Sequence, residues 1–191
     1  MMSTTPWEIV AVLTGVGFLV LAVRENPWCW LFGGVSTLIF AILFWNAGLY
    51  MQSSLQVYYV GVAVYGWWHW RRGSDSGGQA PIRTWPWSRH LIAMALIISL
   101  GLLNGYLLTR QTTSQWPYLD ALTTWGGVVT TWMAAQKILE NWLYWLVVNF
   151  AAILLYVGND LPLTAGLYTV YFVLALFGYQ RWNKSYRKPS A

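Results

Sequence analysis

Seven long apolar runs constrain this chain more than any other feature of its sequence. A bilayer core is about 30 Å thick, so an α-helix needs roughly 20 apolar residues to cross it. The strands of a membrane β-barrel instead alternate apolar and polar residues over about ten positions. The runs are Trp7–Val23, Trp28–Trp45, Met51–Trp70, His90–Leu108, Tyr118–Ala134, Trp142–Val157 and Leu163–Trp182. We therefore predict an all-α membrane protein with seven transmembrane helices.

The composition excludes the main soluble classes. Charged residues make up 9% and hydrophobic residues 57% of the 191 positions, whereas about a quarter of a soluble domain is charged. An intrinsically disordered chain instead has few hydrophobic and many charged residues. The net charge of +5 comes from basic residues that stand between the apolar runs, so no nucleic-acid partner is indicated. No basic residue precedes the first run, and we expect no cleaved secretory signal.

The distribution of Lys and Arg predicts the orientation, because cytoplasmic loops carry the excess of both. If the seven runs alternate in direction, only Arg110 lies on the outer side. The residues on the other side are Arg24, Arg71, Arg72, Arg83, Arg89, Lys137, Arg181, Lys184, Arg187 and Lys188. We therefore expect the amino terminus outside and the carboxyl terminus in the cytoplasm.

An internal repeat predicts the architecture. Trp7-Glu8 and Leu119-Asp120 lie 112 positions apart, as do Gly66 and Gly178 in the aromatic ends of the third and seventh runs. Glu25-Asn26 also resembles Glu140-Asn141. Two three-helix units joined by one helix run in the same direction, a parallel-repeat transporter plan that includes the SWEET proteins. We predict a first unit over 1–70, a cytoplasmic loop over 71–89, a linker helix over 90–108, a second unit over 109–182 and a basic tail over 183–191.

Two segments of this plan carry more detailed predictions. Gly101 and Gly105 on the linker helix let another helix approach closely, and we expect that helix to belong to the same chain. The loop between Arg71 and Arg89 is rich in Gly and Ser, which is typical of a flexible connection.

Few residues in the chain suit catalysis, metal binding or proton relay. The single cysteine, Cys29, forms no zinc site, and no catalytic serine motif or phosphate loop is present. We predict a protein that is not an enzyme and that uses no metal or cofactor. Because coupled pumps need intramembrane acids or histidines, this scarcity favours passive transport. His69 and His90 are expected to face water at helix ends.

Polar and aromatic residues within the runs form the candidate binding site. An amide that faced lipid would cost several kcal/mol, so these side chains face protein or a water-filled cavity. Hydrogen bonds between helices, worth about 0.6 kcal/mol each, are the alternative role, and most other tryptophans suit the headgroup level. Such a lining suits a flat aromatic solute, above all a cation, which gains roughly 0.5–2 kcal/mol over a ring. The candidates are Gln56, Tyr59, Asp120, Thr124, Trp125, Trp145, Asn149, Tyr168 and Tyr171.

Several of these stretches resemble one family. Leu55-Gln56-Val57-Tyr58-Tyr59 followed by Tyr65-Gly66-Trp67-Trp68-His69-Trp70 resembles the third helix of the PnuC vitamin transporters. The similar stretches in the fifth, sixth and seventh helices are Pro117–Thr124, Glu140–Trp145 with Asn149, Gly166–Tyr168 and Gly178–Trp182. The resemblance covers nearly the whole chain outside the loop Arg71–Arg89.

The resemblance implies a bacterial inner-membrane facilitator, a homotrimer with a 3+1+3 fold. Members carry nicotinamide riboside, thiamine, riboflavin or related solutes, which kinases then trap by phosphorylation. Leu119 and Ala63 depart from the Trp and Asn that nicotinamide riboside transporters often have. Nicotinamide riboside remains our first prediction and thiamine the nearest competitor. We expect alternating access around a site between the two three-helix units.

Two further hypotheses stay open from the sequence. One is a non-transporting membrane protein, such as an assembly factor or sensor, in which the polar residues only join helices. The other is a secondary transporter coupled to a proton or sodium gradient.

Overall fold

The computed structural model describes residues 6–46, 50–72, 80–111 and 115–187, and seven α-helices account for most of them. Each helix overlaps one predicted run, with ends that differ by four residues or fewer. The predicted all-α class is confirmed. The helices are α1 (Pro6–Val23), α2 (Cys29–Asn46), α3 (Tyr50–Arg72), α4 (Trp87–Gln111), α5 (Pro117–Ala135), α6 (Asn141–Gly158) and α7 (Pro162–Tyr186).

The helices differ in how well their own sequence suits a bilayer. By length and mean hydropathy alone, α2, α4 and α6 are candidate membrane spans, and α1 has a shorter apolar stretch over Ile9–Val23. The more polar α3, α5 and α7 carry seven of the nine predicted site residues. The three helices with the lower hydropathy are therefore the ones that carry most of the predicted binding site.

The described chain forms two compact units. The first unit consists of α1–α3, the residues up to Pro81 and the short segment Ala135–Lys137. The second unit consists of α4–α7, with the connection from Ile82 to α4.

In the first unit, α2 is held against both of its neighbours by buried hydroxyl groups. Ser36 Oγ donates a hydrogen bond to the carbonyl of Ala11 on α1 at 2.7 Å. Ser53 Oγ on α3 donates to the carbonyl of Ala41 on α2 at 2.8 Å. In an apolar environment such bonds have no competition from water, so they fix the relative height of the three helices.

An aromatic cluster lies between the start of α2 and the end of α3 in the first unit. Trp30 and Trp70 are buried and meet edge to face, with ring centroids 5.5 Å apart at 89°. Gly66 leaves the space that the Trp30 ring fills, because a Cβ at this position would overlap the ring. Trp70 Nε1 also donates to the carbonyl of Ala135 at 3.2 Å.

The second unit contains the same cluster 112 positions later in the chain. Trp142 and Trp182 are buried with ring centroids 5.4 Å apart at 85°, and Gly178 leaves room for the Trp142 ring. The sequence predicts these tryptophans in a belt at the headgroup level, whereas the rings of Trp70, Trp142 and Trp182 are buried in the protein; their depth in the bilayer stays a prediction. Position along a helix follows from sequence, but the face on which a ring lies does not.

The turns before α2 and α6 match at the same spacing. Glu25 and Lys137 both have a left-handed backbone, with φ of 59° and 55°, which is uncommon for residues other than glycine. The predicted match of Glu25-Asn26 with Glu140-Asn141 is therefore three residues out of register. The spacing of 112 instead pairs Glu25 with Lys137.

Lys137 is the most deeply buried charged side chain in the described part of the chain, at 1% exposure. Its Nζ lies 3.5 Å from Glu25 Oε2 and 4.9 Å from the centre of the Trp70 ring, and it donates to the carbonyl of Ala80 at 2.9 Å. Burial lowers the pKa of Lys137, an effect that the neighbouring Glu25 carboxylate opposes. The buried ammonium group thus has a carboxylate, a carbonyl and an aromatic ring as partners.

The glycines beneath the two tryptophan clusters give a first testable expectation. Gly66→Ala and Gly178→Ala each place a methyl group into a buried indole ring, and overpacking of this kind costs typically 1–3 kcal/mol. We expect both variants to lower the thermal unfolding temperature in detergent. Gly61→Ala is the matched control, because a Cβ there meets nothing within 4 Å. Equal behaviour of all three variants would contradict the packing described.

The helix α4 packs on α5 in the second unit. A Cβ at Gly101 would overlap Leu122, and one at Gly105 would overlap Tyr118. The predicted packing of the two glycines within one chain is confirmed.

The connection before α4 is held in place where the structure describes it. Leu139 N–H donates to the Arg83 carbonyl at 2.8 Å, and the Trp85 N–H donates to Glu140 Oε2 at 3.4 Å. Part of the loop predicted over 71–89 is therefore held by hydrogen bonds, its flexibility stays a prediction, and positions 73–79 lie outside the described residues.

Candidate functional site

Two contacts set the register of α6 against α7. Trp142 lies on Gly178 near one end of the pair, and the rings of Tyr156 and Tyr168 are 5.1 Å apart near the other. Asn149 is midway between Trp142 and Tyr156, and residue 173 is midway between Tyr168 and Gly178. Because α6 and α7 are antiparallel, Asn149 lies at the same height along the helix axes as Val173. Tyr171 is about half a helical turn from that height.

Gly126 brings α5 close to α6 at the height of Asn149. A Cβ at Gly126 would lie 2.6 Å from Val148 Cγ2, so the two backbones are close there. Trp125 precedes Gly126 and Asn149 follows Val148. Both predicted site residues thus lie at the same height, near the middle of their helices.

These two side chains each bury a polar atom with no protein partner. Trp125 Nε1 and Asn149 Oδ1 have no hydrogen-bond partner among residues that the structure describes, and Asn149 is only 3% exposed. A buried donor or acceptor left unpaired costs about 1–3 kcal/mol. Four other buried polar atoms of the described residues also have no partner, on Trp30, Trp85, Asn141 and Trp142. What distinguishes Trp125 and Asn149 is that a free donor and a free acceptor lie at one level near the middle of their helices, which makes them candidates for a binding site.

The other predicted residues of the second unit lie on the same three helices. Thr124, Trp145 and Tyr171 are half-buried, and the rings of Tyr168 and Tyr171 are 5.6 Å apart. Asp120 is half-buried in the first turn of α5, where the helix dipole favours a negative charge.

The first unit supplies the remaining two predicted residues. Gln56 and Tyr59 are both half-buried on α3, and the Tyr59 ring packs against Tyr58 at 5.4 Å. Both belong to the first unit, whereas the other seven predicted residues belong to the second. The prediction that all nine line one site therefore stays a prediction.

A separate cavity was not anticipated from the sequence. It has a volume of about 550 Å³, lies within the second unit between α4, α5 and α6, and includes none of the nine predicted residues. Tyr144 lines it, whereas Asn149 lies five residues further along α6 and points roughly 140° away around the helix axis. We call this cavity the α4–α6 groove. In the sequence, the groove corresponds to the face of α5 and α6 that carries none of the predicted site residues and is almost wholly apolar.

The few polar groups of the α4–α6 groove lie together at one end. His90 is buried, its Nδ1 is 3.0 Å from Tyr144 Oη, and its Nε2 is 4.0 Å from Glu140 Oε1. The rings of Trp85 and Trp87 pack around the imidazole at 5.8 and 6.0 Å. The predicted exposure of His90 to water is therefore wrong. Over the described ranges, no group of three His, Cys, Asp or Glu side chains is placed to hold a metal ion.

Comparison with known proteins identifies the family. Residues 5–184 match the sequence profile described as Nicotinamide mononucleotide transporter. The chain belongs to this family. Its curated relatives are membrane transporters, and the apolar helices of this chain agree with that setting.

The relatives within the nicotinamide mononucleotide transporter family differ in the vitamin they carry. The riboflavin/roseoflavin transporter RibM of Streptomyces davaonensis is 27% identical over 188 residues, covering 96% of this chain and 87% of that protein. The nicotinamide riboside transporter PnuC of Escherichia coli is 24% identical over 206 residues, covering 95% and 86%.

A solved structure has the same fold. The crystal structure of the vitamin B3 transporter PnuC superposes with a TM-score of 0.71 at 24% identity, covering 95% of this chain and 82% of that one. The resemblance to PnuC transporters inferred from the sequence is therefore confirmed.

The two departures from the PnuC pattern lie in different units, Ala63 in the first and Leu119 in the second. Ala63 is buried with its Cβ 3.7 Å from the position of a Cβ at Gly34, which leaves little room for an amide. Leu119 lines the α4–α6 groove. Within the second unit, Leu119 therefore faces the α4–α6 groove and not the level of Trp125 and Asn149.

Proposed function

We propose that this protein carries nicotinamide riboside into the bacterial cytoplasm by facilitated diffusion. A cytoplasmic kinase then phosphorylates the solute and so traps it. The buried, unpaired Trp125 Nε1 and Asn149 Oδ1, at mid-helix in a member of a transporter family, carry this proposal. An amide oxygen there accepts from the donor edge of a nicotinamide or a ribose, and an indole N–H donates to a carbonyl.

The surrounding side chains favour a positively charged ring. Trp145, Tyr168 and Tyr171 offer aromatic faces on α6 and α7, and a cation over such a face gains roughly 0.5–2 kcal/mol. In the described residues no basic side chain forms an ion pair with Asp120. We assign to this carboxylate the attraction of the cationic ring at the outer mouth, with Gln56, Tyr59 and Thr124 completing the contacts.

The proposed architecture is a parallel 3+1+3 repeat like that of SWEET proteins, with α4 as the linker. The two tryptophan clusters and the two left-handed turns, all 112 positions apart, support it. The boundaries are those of the sequence analysis, namely 1–70, 71–89, 90–108, 109–182 and 183–191. The proposed mechanism is rocking of the two three-helix sets, which exposes the solute to each side in turn.

The proposed setting is the inner membrane, with the amino terminus periplasmic, the carboxyl terminus cytoplasmic and three copies in the assembly. Ten of the eleven basic residues fall on the inner side of this topology. Membrane-impermeant labelling of a cysteine at each end of the chain tests the orientation, and light scattering of the purified protein tests the trimer. Two ends accessible from the same side would exclude this topology.

Riboflavin is the second candidate substrate, because RibM is slightly more similar to this chain than the PnuC of Escherichia coli. Riboflavin is uncharged and larger, so it gains nothing from the Asp120 carboxylate. Thiamine has a cationic ring and remains an alternative on chemistry alone.

Competition binding distinguishes these substrates. Fifteen tryptophans make quenching by a bound aromatic ring easy to follow. We expect nicotinamide riboside to quench in a saturable manner and to be displaced less readily by thiamine or riboflavin than by itself. Tighter binding of riboflavin would replace the proposed substrate, and no quenching by any of the three would favour the non-transporting hypothesis.

A further inference from the structure

We propose that the α4–α6 groove holds one acyl chain of a phospholipid whose headgroup carries a primary ammonium group, such as phosphatidylethanolamine. This proposal concerns the opposite face of α5 and α6 from the candidate vitamin site and does not depend on which vitamin is carried. Its occupant is a lipid of the surrounding bilayer.

The body of the α4–α6 groove suits hydrocarbon and not a vitamin. Ile97, Leu122 and Val148 are typical of its lining, and Thr123 is the only hydroxyl-bearing residue along its length outside the polar end. A ribose with several hydroxyl groups would lose its hydrogen bonds to water there without replacement, which disfavours its binding. An acyl chain has no such groups to satisfy.

The shape of the groove follows the direction of a lipid tail. Its α6 wall runs from Glu140 to Ala151, eleven positions that span about 16 Å at 1.5 Å per residue. Apolar side chains at its edges, among them Ile98, Leu143 and Val147, are exposed. In a bilayer these edges face other lipids, so a tail enters from the side without crossing a polar barrier.

The polar end of the groove suits an ammonium group. Glu140 is a carboxylate with a side-chain exposure of 21%, and its contacts are the Trp85 N–H and the His90 ring. No Lys or Arg lies within ion-pair distance of it in the part of the chain described. Trp87 and Tyr144 add aromatic faces beside it, and a carboxylate with aromatic rings is a recurrent arrangement for binding ammonium groups.

The position of this polar end agrees with a headgroup. Glu140 immediately precedes α6, and Trp87 is the first residue of α4, so both lie where helices leave the hydrocarbon. Tryptophan and tyrosine are enriched at this depth. At this contact the Glu140 carboxylate therefore favours an amine-bearing headgroup over an anionic one.

Native mass spectrometry of the purified full-length protein tests this proposal, with phosphatidylethanolamine and phosphatidylglycerol of identical acyl chains as the added lipids. We expect wild type to retain phosphatidylethanolamine preferentially. Val147→Trp, which fills the groove, should abolish this retention. Val157→Trp should not, because Val157 is equally on the exposed surface of α6 but does not line the groove.

A second variant isolates the headgroup contact. Glu140→Gln should weaken retention of phosphatidylethanolamine about fivefold and leave that of phosphatidylglycerol unchanged, since a partly exposed ion pair contributes up to about 1 kcal/mol. Equal retention by the two tryptophan variants would overturn the proposal. So would a change in oligomeric mass confined to Val147→Trp with lipid retention intact, which would assign the groove to a second copy of the chain.

Discussion

Replacing Asn149 by alanine is expected to lower vitamin uptake at least tenfold without loss of folded protein. Its Oδ1 is buried without a partner in the described part of the chain, so in the proposed site the solute supplies that partner. Loss of the contact leaves the donor of the solute unpaired, at about 1–3 kcal/mol, and 1.4 kcal/mol corresponds to a factor of ten. Uptake into proteoliposomes and the yield of monodisperse protein are the two measurements.

A leucine at the same position separates binding from helix packing. Asn149→Leu keeps the branched shape of the side chain and removes the unpaired oxygen, so the unfolding temperature should stay equal or rise while uptake falls. If Asn149 only joined helices, the same variant would lower the unfolding temperature. Asn104→Ala, at a half-buried amide on α4, is the matched control and should retain uptake. Unchanged uptake by both alanine variants would remove Asn149 from the proposed site.

Replacing Lys137 by methionine is expected to destabilise the protein by about 3–5 kcal/mol, the usual cost of breaking a buried ion pair from one side. The variant leaves Glu25, with a side-chain exposure of 15%, without its cation. It also removes the donor to the Ala80 carbonyl. For a chain of this size the unfolding temperature should fall by roughly 10 °C, as measured by thermal unfolding in detergent.

Two further variants assign this loss to the ion pair. The double variant Glu25→Gln with Lys137→Met should recover most of the stability, because removal of both charges from a buried pair is often close to neutral. Lys184→Met, in the exposed last turn of α7, should have almost no effect. A loss for Lys137→Met no larger than that for Lys184→Met would contradict the burial of this ammonium group.

The helices were predictable because bilayer thickness fixes their length. The ends of α5 and α6 fell within one residue of the predicted runs, since Pro117 and Gly158 mark natural boundaries. The repeat was also visible, but its register was not, because Glu140 resembles Glu25 chemically whereas the turn geometry pairs Glu25 with Lys137. Backbone conformation of this kind has little signal in a single sequence.

The sequence predicted which helices carry the candidate site residues and how far along each helix they lie. It did not predict which side chains contact one another. Trp125 and Asn149 were chosen for their polar atoms in apolar runs, and the structure brings them to one level through Gly126. His90 and the α4–α6 groove were missed because they depend on how α4 lies on α5, a matter of packing between segments far apart in sequence. The burial of Trp142 and Trp182 was missed for the same reason.

Uptake of labelled nicotinamide riboside by proteoliposomes containing the purified protein is the most direct test of this account. We expect saturable uptake that excess unlabelled solute competes away and that needs neither a proton nor a sodium gradient. Dependence on either gradient would replace facilitation by coupled transport. Folded, reconstituted protein that moves neither nicotinamide riboside nor riboflavin nor thiamine would contradict the proposed function outright.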